Sequence, residues 1–268
     1  MAIDKFELEG IFEKFIEKCY EPDLQKAAIK GIESIQIDFL QLAKFNPDIA
    51  EQLLDNPREA ISALETAMMH KMQEWISGLS AKQLAQLRYI GKYQLGRKAW
   101  INVMKARIIN LPDSQNMLIK NISKEHIGKL ISVDGKVISQ SDVWLESICS
   151  KFECPACGAE LLMMQSGDEI KQPSRCACGY KSSFKQLKTI FADVQELILQ
   201  DLSDETKKKA SQIRIIAKND LAGAEMSRNT AEGKRICVYG IVEENKGTSG
   251  RSHKTPGRVI IANNIKPI

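Results

Sequence analysis

The sequence predicts an α+β protein of several domains: an N-terminal helical bundle, then a small β-barrel interrupted by a cysteine-bearing ribbon. Three observations carry this reading. Apolar residues recur at three- and four-residue steps as far as about residue 94, the period of amphipathic helices. From about residue 100 the chain changes to short runs rich in β-branched residues, bounded by turn formers. Two cysteine pairs, C-P-A-C-G and C-A-C-G, lie between Cys154 and Cys178, inside that run of strands.

The first helix is read from Phe6, Leu8, Ile11, Phe12, Phe15 and Ile16. Pro22 and Asp23 open a second, with an apolar set at Ile29, Ile32, Ile35, Ile37, Phe39, Leu40 and Leu42. Asn46-Pro47-Asp48 and Asn56-Pro57 mark two further starts, since proline is tolerated in a first helical turn. Ile61, Leu64, Ala67, Met68, Met72 and Trp75 form a stripe through the longest helix, which reads as core packing. His70 belongs to the same helix and has no visible ligand partner. Nothing in the bundle suggests chemistry.

Beyond it, V-M-K-A-R-I-I-N and L-I-S-V-D-G-K-V-I-S read as strands, with a brief helical turn at Ser123–His126 between them. Serine caps such a turn and Gly128 ends it. Four later strands are F-K-Q-L-K-T-I-F-A-D-V-Q-E-L-I-L-Q, Q-I-R-I-I-A-K, R-I-C-V-Y-G-I-V and R-V-I-I-A-N-N-I. About six short strands with one long interruption fit a five-stranded Greek-key barrel of the OB type.

The interruption holds Cys154, Cys157, Cys176 and Cys178, each pair followed directly by glycine. Paired cysteines on two tight turns are the pattern of a zinc ribbon, and four thiolates complete a tetrahedral site. Gly158 and Gly179 fall where such turns need positive φ. Two disulfides are the competing use, but the N-terminus M-A-I-D-K-F-E-L-E-G is unlike an export signal. The expectation is one structural zinc ion per chain. The second pair is C-x-C, so its turn must be the tighter one. With all four positions taken by protein, the metal is a staple and not a catalyst.

The 268 residues are 43% hydrophobic and 27% charged, the composition of an ordinary globular protein. No apolar run approaches membrane-spanning length. Cys19, Cys149 and Cys237 stand alone and read as reduced core residues of an intracellular protein. Charge is uneven. Residues 1–100 carry 13 Lys/Arg against 15 Asp/Glu, residues 101–200 carry 12 against 11, and residues 201–268 carry 13 against 8. A basic C-terminal third hints at an anionic partner such as nucleic acid.

Particular motifs resemble one family. Arg107–Pro112 (R-I-I-N-L-P) and Ile119–Gly135, with its H-I-G-K-L-I-S-V-D-G, are similar to the start of the barrel in minichromosome maintenance (MCM) proteins, the hexameric replicative DNA helicases. K-F-E-C-P-A-C-G resembles the strand entering their zinc subdomain. Phe191–Leu197, N-D-L-A-G and Glu232–Val242 resemble the barrel's second half. The resemblance covers roughly residues 100–268, and the helices before it fit in size and order. It implies the N-terminal region of an archaeal-type MCM helicase, which assembles a hexamer or double hexamer and holds single- or double-stranded DNA in a central channel. It also implies an ATPase domain C-terminal to this region, so that the full-length protein would be an ATP-dependent DNA helicase in the cytoplasm or nucleoid.

The segment 245–258 contains Lys246, Arg251, His253, Lys254 and Arg258 and no acid. Phosphates attract such a segment without regard to base sequence, although a solvated basic loop is the plainer use. In the resembled family this position is a β-hairpin projecting into the channel, which implies DNA binding by those five residues. The stretch G-T-S-G-R-S-H-K-T is not a phosphate loop, because His253 stands where the glycine before the lysine belongs and Pro256 follows. No catalytic set is found. The strand Ser139–Glu146, where the family carries bases, has none, so no DNA site is assigned to it; Trp144 there reads as packing. Lys207–Lys209 match in position the family's loop that communicates with the ATPase.

The expected division is a helical bundle over 1–99, the first part of the barrel over 100–150, the zinc ribbon over 151–183 and the second part over 184–268, with a basic hairpin at 243–258. A stand-alone OB-fold and zinc-ribbon single-stranded DNA-binding protein is the alternative. It needs aromatics among the bases on the barrel face, and these are sparse.

Overall fold

A computed structural model describes residues 4–84, 87, 104–165, 170–202, 210–244 and 257–268. The helical region contains α1 (Lys5–Cys19), α2 (Glu21–Lys30), α3 (Phe39–Phe45), α4 (Pro47–Asp55), α5 (Pro57–Ser77) and α6 (Ala81–Leu84). Leu8, Phe12, Phe15 and Ile16 of α1 meet Leu64, Met68 and Met72 of α5 in one buried cluster. Phe6, at the start of the same stripe, is exposed. Asn46 caps α4 by accepting from the Asp48 and Ile49 N–H groups, at 3.1 and 3.3 Å.

The expected second helix is two elements and a strand. Gly31 ends α2 with φ 73, its N–H bonded to the Ala27 carbonyl, a left-handed cap that suits glycine. The chain then extends as β1 (Ser34–Asp38), in which Ile35 and Ile37 point into the core. Asp38 caps α3. The run S-I-Q-I-D alternates with period two, which a helical reading of its isoleucines hides. The strand β2 (Lys105–Ile109) forms where a strand is expected, but its hydrogen-bonded neighbour is β1, in parallel register from Ser34↔Lys105 to Asp38↔Ile109.

The barrel is built from β3 (Leu130–Gln140), β6 (Lys185–Asp201), β7 (Gln212–Lys218), β8 (Arg235–Glu244) and β9 (Arg258–Pro267), in the order β3-β8-β9-β7-β6. β6 pairs back onto β3, which closes the sheet. Ile131, Val133, Leu197, Leu199, Ile215 and Val238 fill its interior. Closure depends on Gly135, where a Cβ would lie 2.4 Å from Leu199 Cγ and 2.7 Å from the Gln200 carbonyl oxygen. β4 (Trp144–Glu153) and β5 (Glu160–Met164) extend from the far side of β6 and carry the ribbon. A short helix α7 (Ala224–Asn229) lies between β7 and β8.

Helices and barrel are joined by a polar seam. Arg107 of β2, 7% exposed, donates to the Asn263 carbonyl at 2.7 Å and pairs with Asp220. Ser34 of β1 donates to the same carboxylate at 2.7 Å. Further ion pairs, Arg58–Glu243 and Lys129–Asp55, join α5 and α4 to the barrel. No helix among the described residues is long and apolar enough to cross a membrane.

Candidate metal centre and nucleic-acid interface

Cys154 follows directly on β4, and its N–H donates to the Ala159 carbonyl at 2.9 Å while Gly158 N–H returns to the Cys154 carbonyl at 2.8 Å. The second turn repeats this with one residue fewer: Cys176 N–H donates to the Tyr180 carbonyl and Gly179 N–H to the Cys176 carbonyl, both at 2.9 Å. The first turn therefore spans four residues and the second three, the tightening that the C-x-C spacing demands. Gly158 and Gly179 have φ of 69 and 95. Both are left-handed positions at which a side chain would be strained.

The turns bring the four sulfurs together. Cys154 Sγ lies 3.7 Å from Cys178 Sγ, and Cys157 Sγ lies 3.6 Å from Cys176 Sγ. All four are within 4.8 Å of one another, and among the described residues this is the one such cluster. A tetrahedral ion with bonds near 2.3 Å separates its thiolates by about 3.8 Å, so the arrangement fits zinc. Disulfides would need far shorter sulfur–sulfur distances, and all four cysteines are free. Zinc held there would close the ribbon by fixing its two turns to each other.

The thiols are not equivalent. The Tyr180 N–H, and after it the Cys157 thiol, lower Cys178 to about 7. Cys157 is pushed up to about 12: the Ala159 N–H acts to lower it, but the neighbouring thiols of Cys178, Cys154 and Cys176 outweigh that bond. Cys154 and Cys176 are buried with Phe152 and Phe184, against Leu161, Met163 and Tyr180. This is a very small core, and the sulfurs are half of its buried members.

Of the five residues expected to bind DNA, Lys246, Arg251, His253 and Lys254 lie outside the described residues, as do Lys207–Lys209. Arg258 is described at the first position of β9, where its guanidinium donates to the Ile122 carbonyl. β8 and β9 are antiparallel neighbours whose last pair is Glu244↔Arg258, so residues 245–257 connect the two strands of one hairpin. Trp144 pairs with Val194 of β6 and is 42% exposed. His126 helps to cap its turn: Nδ1 accepts from the Ser123 N–H at 3.0 Å. His70 bonds to Glu13 at 2.9 Å.

Two features escape a reading by motif. One is the Arg107–Asp220 seam, whose partners are 113 residues apart. The other is the charge around the second cysteine turn, legible as five bases and no acid between residues 170 and 192.

Comparison with known proteins gives consistent neighbours. The family model for the MCM N-terminal domain matches residues 9–107, and that for the MCM OB domain matches residues 118–246. DNA helicase MCM8 of Rattus norvegicus is 27% identical over 260 residues, covering 91% of this chain and 30% of the relative. DNA replication licensing factor MCM2 of Arabidopsis thaliana is 27% identical over 172 residues, covering 63% of this chain and 16% of the relative. This chain thus spans about 30% of the length of the MCM8 relatives it matches. A crystal structure of the N-terminal domain of an archaeal MCM superposes with a TM-score of 0.76 at 20% identity, covering 99% of this chain and 100% of that one, which is a likeness of fold.

Proposed function

The chain belongs to the minichromosome maintenance family, of which it carries the N-terminal and OB domains, and from that premise we propose that it is the DNA-binding and ring-assembly module of a hexameric replicative helicase. The carrying observation is the β8–β9 hairpin, whose connection 245–257 holds Lys246, Arg251, Lys254 and His253 without one acid. Together with Arg258 at its base, this segment lines a central channel and holds DNA by its phosphates. The ring is a hexamer or a pair of them. The zinc ribbon is a closed structural insert, and the ATPase that drives translocation follows this region in the whole protein.

The test is substitution of Lys246, Arg251 and Lys254 by alanine together. Affinity for DNA falls, and the salt dependence flattens by about 0.9 in log–log slope for each duplex phosphate that the variant no longer neutralises. Unchanged affinity removes the hairpin from the site. For assembly, sedimentation that finds only monomers across protein and salt concentrations counts against ring formation by this region.

A further inference from the structure

The four sulfurs of the ribbon divide into two accessible and two sheltered. Cys154 and Cys176 are 0% and 2% exposed, while Cys157 and Cys178 are open to solvent. The division crosses the turns. Exposed Cys178 stands 3.7 Å from buried Cys154, and exposed Cys157 stands 3.6 Å from buried Cys176. Each close pair thus takes one sulfur from each turn and sets an accessible sulfur against a sheltered one. Arg175 and Lys181, both exposed, flank the second turn in the chain. Glu153 and Glu160 flank the first, and they are tied to Lys185 and Lys151 at 3.8 and 2.7 Å.

We propose that this cluster is also a modification site: hydroperoxides oxidise it to two cross-turn disulfides, Cys154–Cys178 and Cys157–Cys176, which release the metal and keep the ribbon closed. The inference rests on the zinc reading but concerns the chain's own sulfurs. Thiols that ligate zinc are deprotonated, and the thiolate is the nucleophile. The exposed thiolate attacks one oxygen of the hydroperoxide and breaks the O–O bond. Sulfur keeps that oxygen as a sulfenic acid, and the other oxygen departs and takes up protons as an alcohol or as water. The sheltered thiolate then attacks the sulfenic sulfur, forms the S–S bond and expels hydroxide, which is protonated to water. Each pair gives up two electrons, and one hydroperoxide accepts them. Disulfide formation outruns further oxidation because the resolving sulfur needs to move by only about 1.6 Å to bonding distance, whereas a second oxidant must diffuse in. Arg175 and Lys181 favour the thiolate form of Cys178 and the departing anion. Both disulfides join one turn to the other, as the metal does; links within a turn would leave the two turns apart.

The experiment treats the reduced, zinc-loaded chain with hydrogen peroxide. It follows released zinc with a chromophoric chelator, sulfur pairing by fragmentation of the joined peptides, and ribbon closure by protease. About one zinc leaves for every two hydroperoxides consumed, and the metal-free mass falls by four hydrogens, roughly 4 Da. The peptides show Cys154–Cys178 and Cys157–Cys176, and residues 154–165 and 170–184 stay as resistant to protease as before oxidation. Dithiothreitol with zinc restores the starting species. Any other pairing overturns the proposal, as do sulfinic acids at Cys157 and Cys178 without a disulfide. Cleavage of the ribbon once it is oxidised overturns it too. So does zinc retained while Cys19, Cys149 or Cys237 consumes the peroxide. A reduced chain that binds no zinc fails the metal reading instead; there the pairing alone decides, the two named disulfides supporting the modification site and any others overturning it.

Discussion

The side chain of Asn263 on β9 holds the backbone at Ile108 as a neighbouring strand would: Oδ1 accepts from the Ile108 N–H at 2.7 Å, and Nδ2 donates to the Ala106 carbonyl at 2.8 Å. Asn264 adds a bond to the Ile108 carbonyl at 3.2 Å. β2 thus has β1 on one edge and barrel side chains on the other. Both asparagines are buried, and so are Ala106 and Ile108. Replacing Asn263 by alanine leaves one backbone donor and one acceptor without partners in a buried seam, each costing about 1–3 kcal/mol. The expected loss is roughly 3 kcal/mol, measured as a lower urea midpoint. A variant within a few tenths of wild type would mean that water replaces the amide there.

Arg107 is the second fastening of the same seam. Its guanidinium is 8% exposed and the Asp220 side chain 30%, so the carboxylate retains some water while the base has little. Removing one partner of a wholly buried pair costs about 3–5 kcal/mol; the partial exposure of Asp220 reduces that to roughly 2 kcal/mol for Asp220→Ala. Ser34, which bonds the same carboxylate, loses its acceptor as well. The double variant Arg107→Met/Asp220→Leu recovers part of the loss, because no charge is then left uncompensated. A double variant as unstable as the sum of the two singles would show that the pair is not coupled.

What could be read in the chain beforehand divides by distance along it. Gln212–Lys218 forms β7 with the bounds of the run Q-I-R-I-I-A-K, because alternation and β-branching are local properties. The four cysteines meet as their spacing requires, since two turns and one metal geometry leave few alternatives. Ile35 and Ile37 misled because three-residue and two-residue periods overlap in a short run, and Gly31 was the signal that separated them. The β1–β2 pairing and the Asn263 and Arg107 bonds were out of reach: each joins segments 71 to 157 residues apart, and nothing in either segment names its partner.

Removing the zinc proposed for the four cysteines from reduced protein unfolds the ribbon and leaves the barrel standing. The ribbon's buried cluster contains four residues, two of them cysteines, whereas the barrel interior is a separate cluster that shares none of them. So small a core does not offset the conformational entropy of its own loops. Chelation exposes residues 154–165 and 170–184 to protease, while amides of β7, β8 and β9 keep their protection from hydrogen exchange. Loss of protection in β8 on chelation would mean that ribbon and barrel fold as one unit.

Gly135 tests closure of the barrel. The Cβ of Gly135→Ala would sit 2.4 Å from Leu199 Cγ and 2.7 Å from the Gln200 carbonyl oxygen, and the second of these atoms is backbone that cannot swing away. β3 and β6 must separate locally. Overpacking of this kind costs about 1–3 kcal/mol, and the upper end is expected here. The thermal midpoint falls, and exchange protection is lost first at the Gly135↔Asp201 end of the β3–β6 pairing. Gly128, with open space at its Cβ position but φ of 85, gives the contrast: alanine there costs strain alone, about 1 kcal/mol.

Cys237 gives the protein an alkaline limit. Burial, and after it the hydrogen bond and charge of Asp134, push its thiol up to about 12 from 9.0. Asp134 faces it directly across the β3–β8 pair. A folded value above the unfolded one means that the folded state holds the proton more tightly. Its contribution is complete below about pH 9, where both states are protonated, and is lost progressively as pH rises from 9 towards 12. Tyr239, pushed up to about 12 chiefly by burial, acts in the same direction. Wild-type urea midpoints therefore fall between pH 8 and 10.5. Cys237→Ser, whose hydroxyl does not titrate in that range, falls less steeply; Tyr239, Cys149 and Tyr20, each raised chiefly by burial, keep the rest of the slope. Parallel wild-type and Cys237→Ser curves would place the alkaline loss elsewhere in the chain.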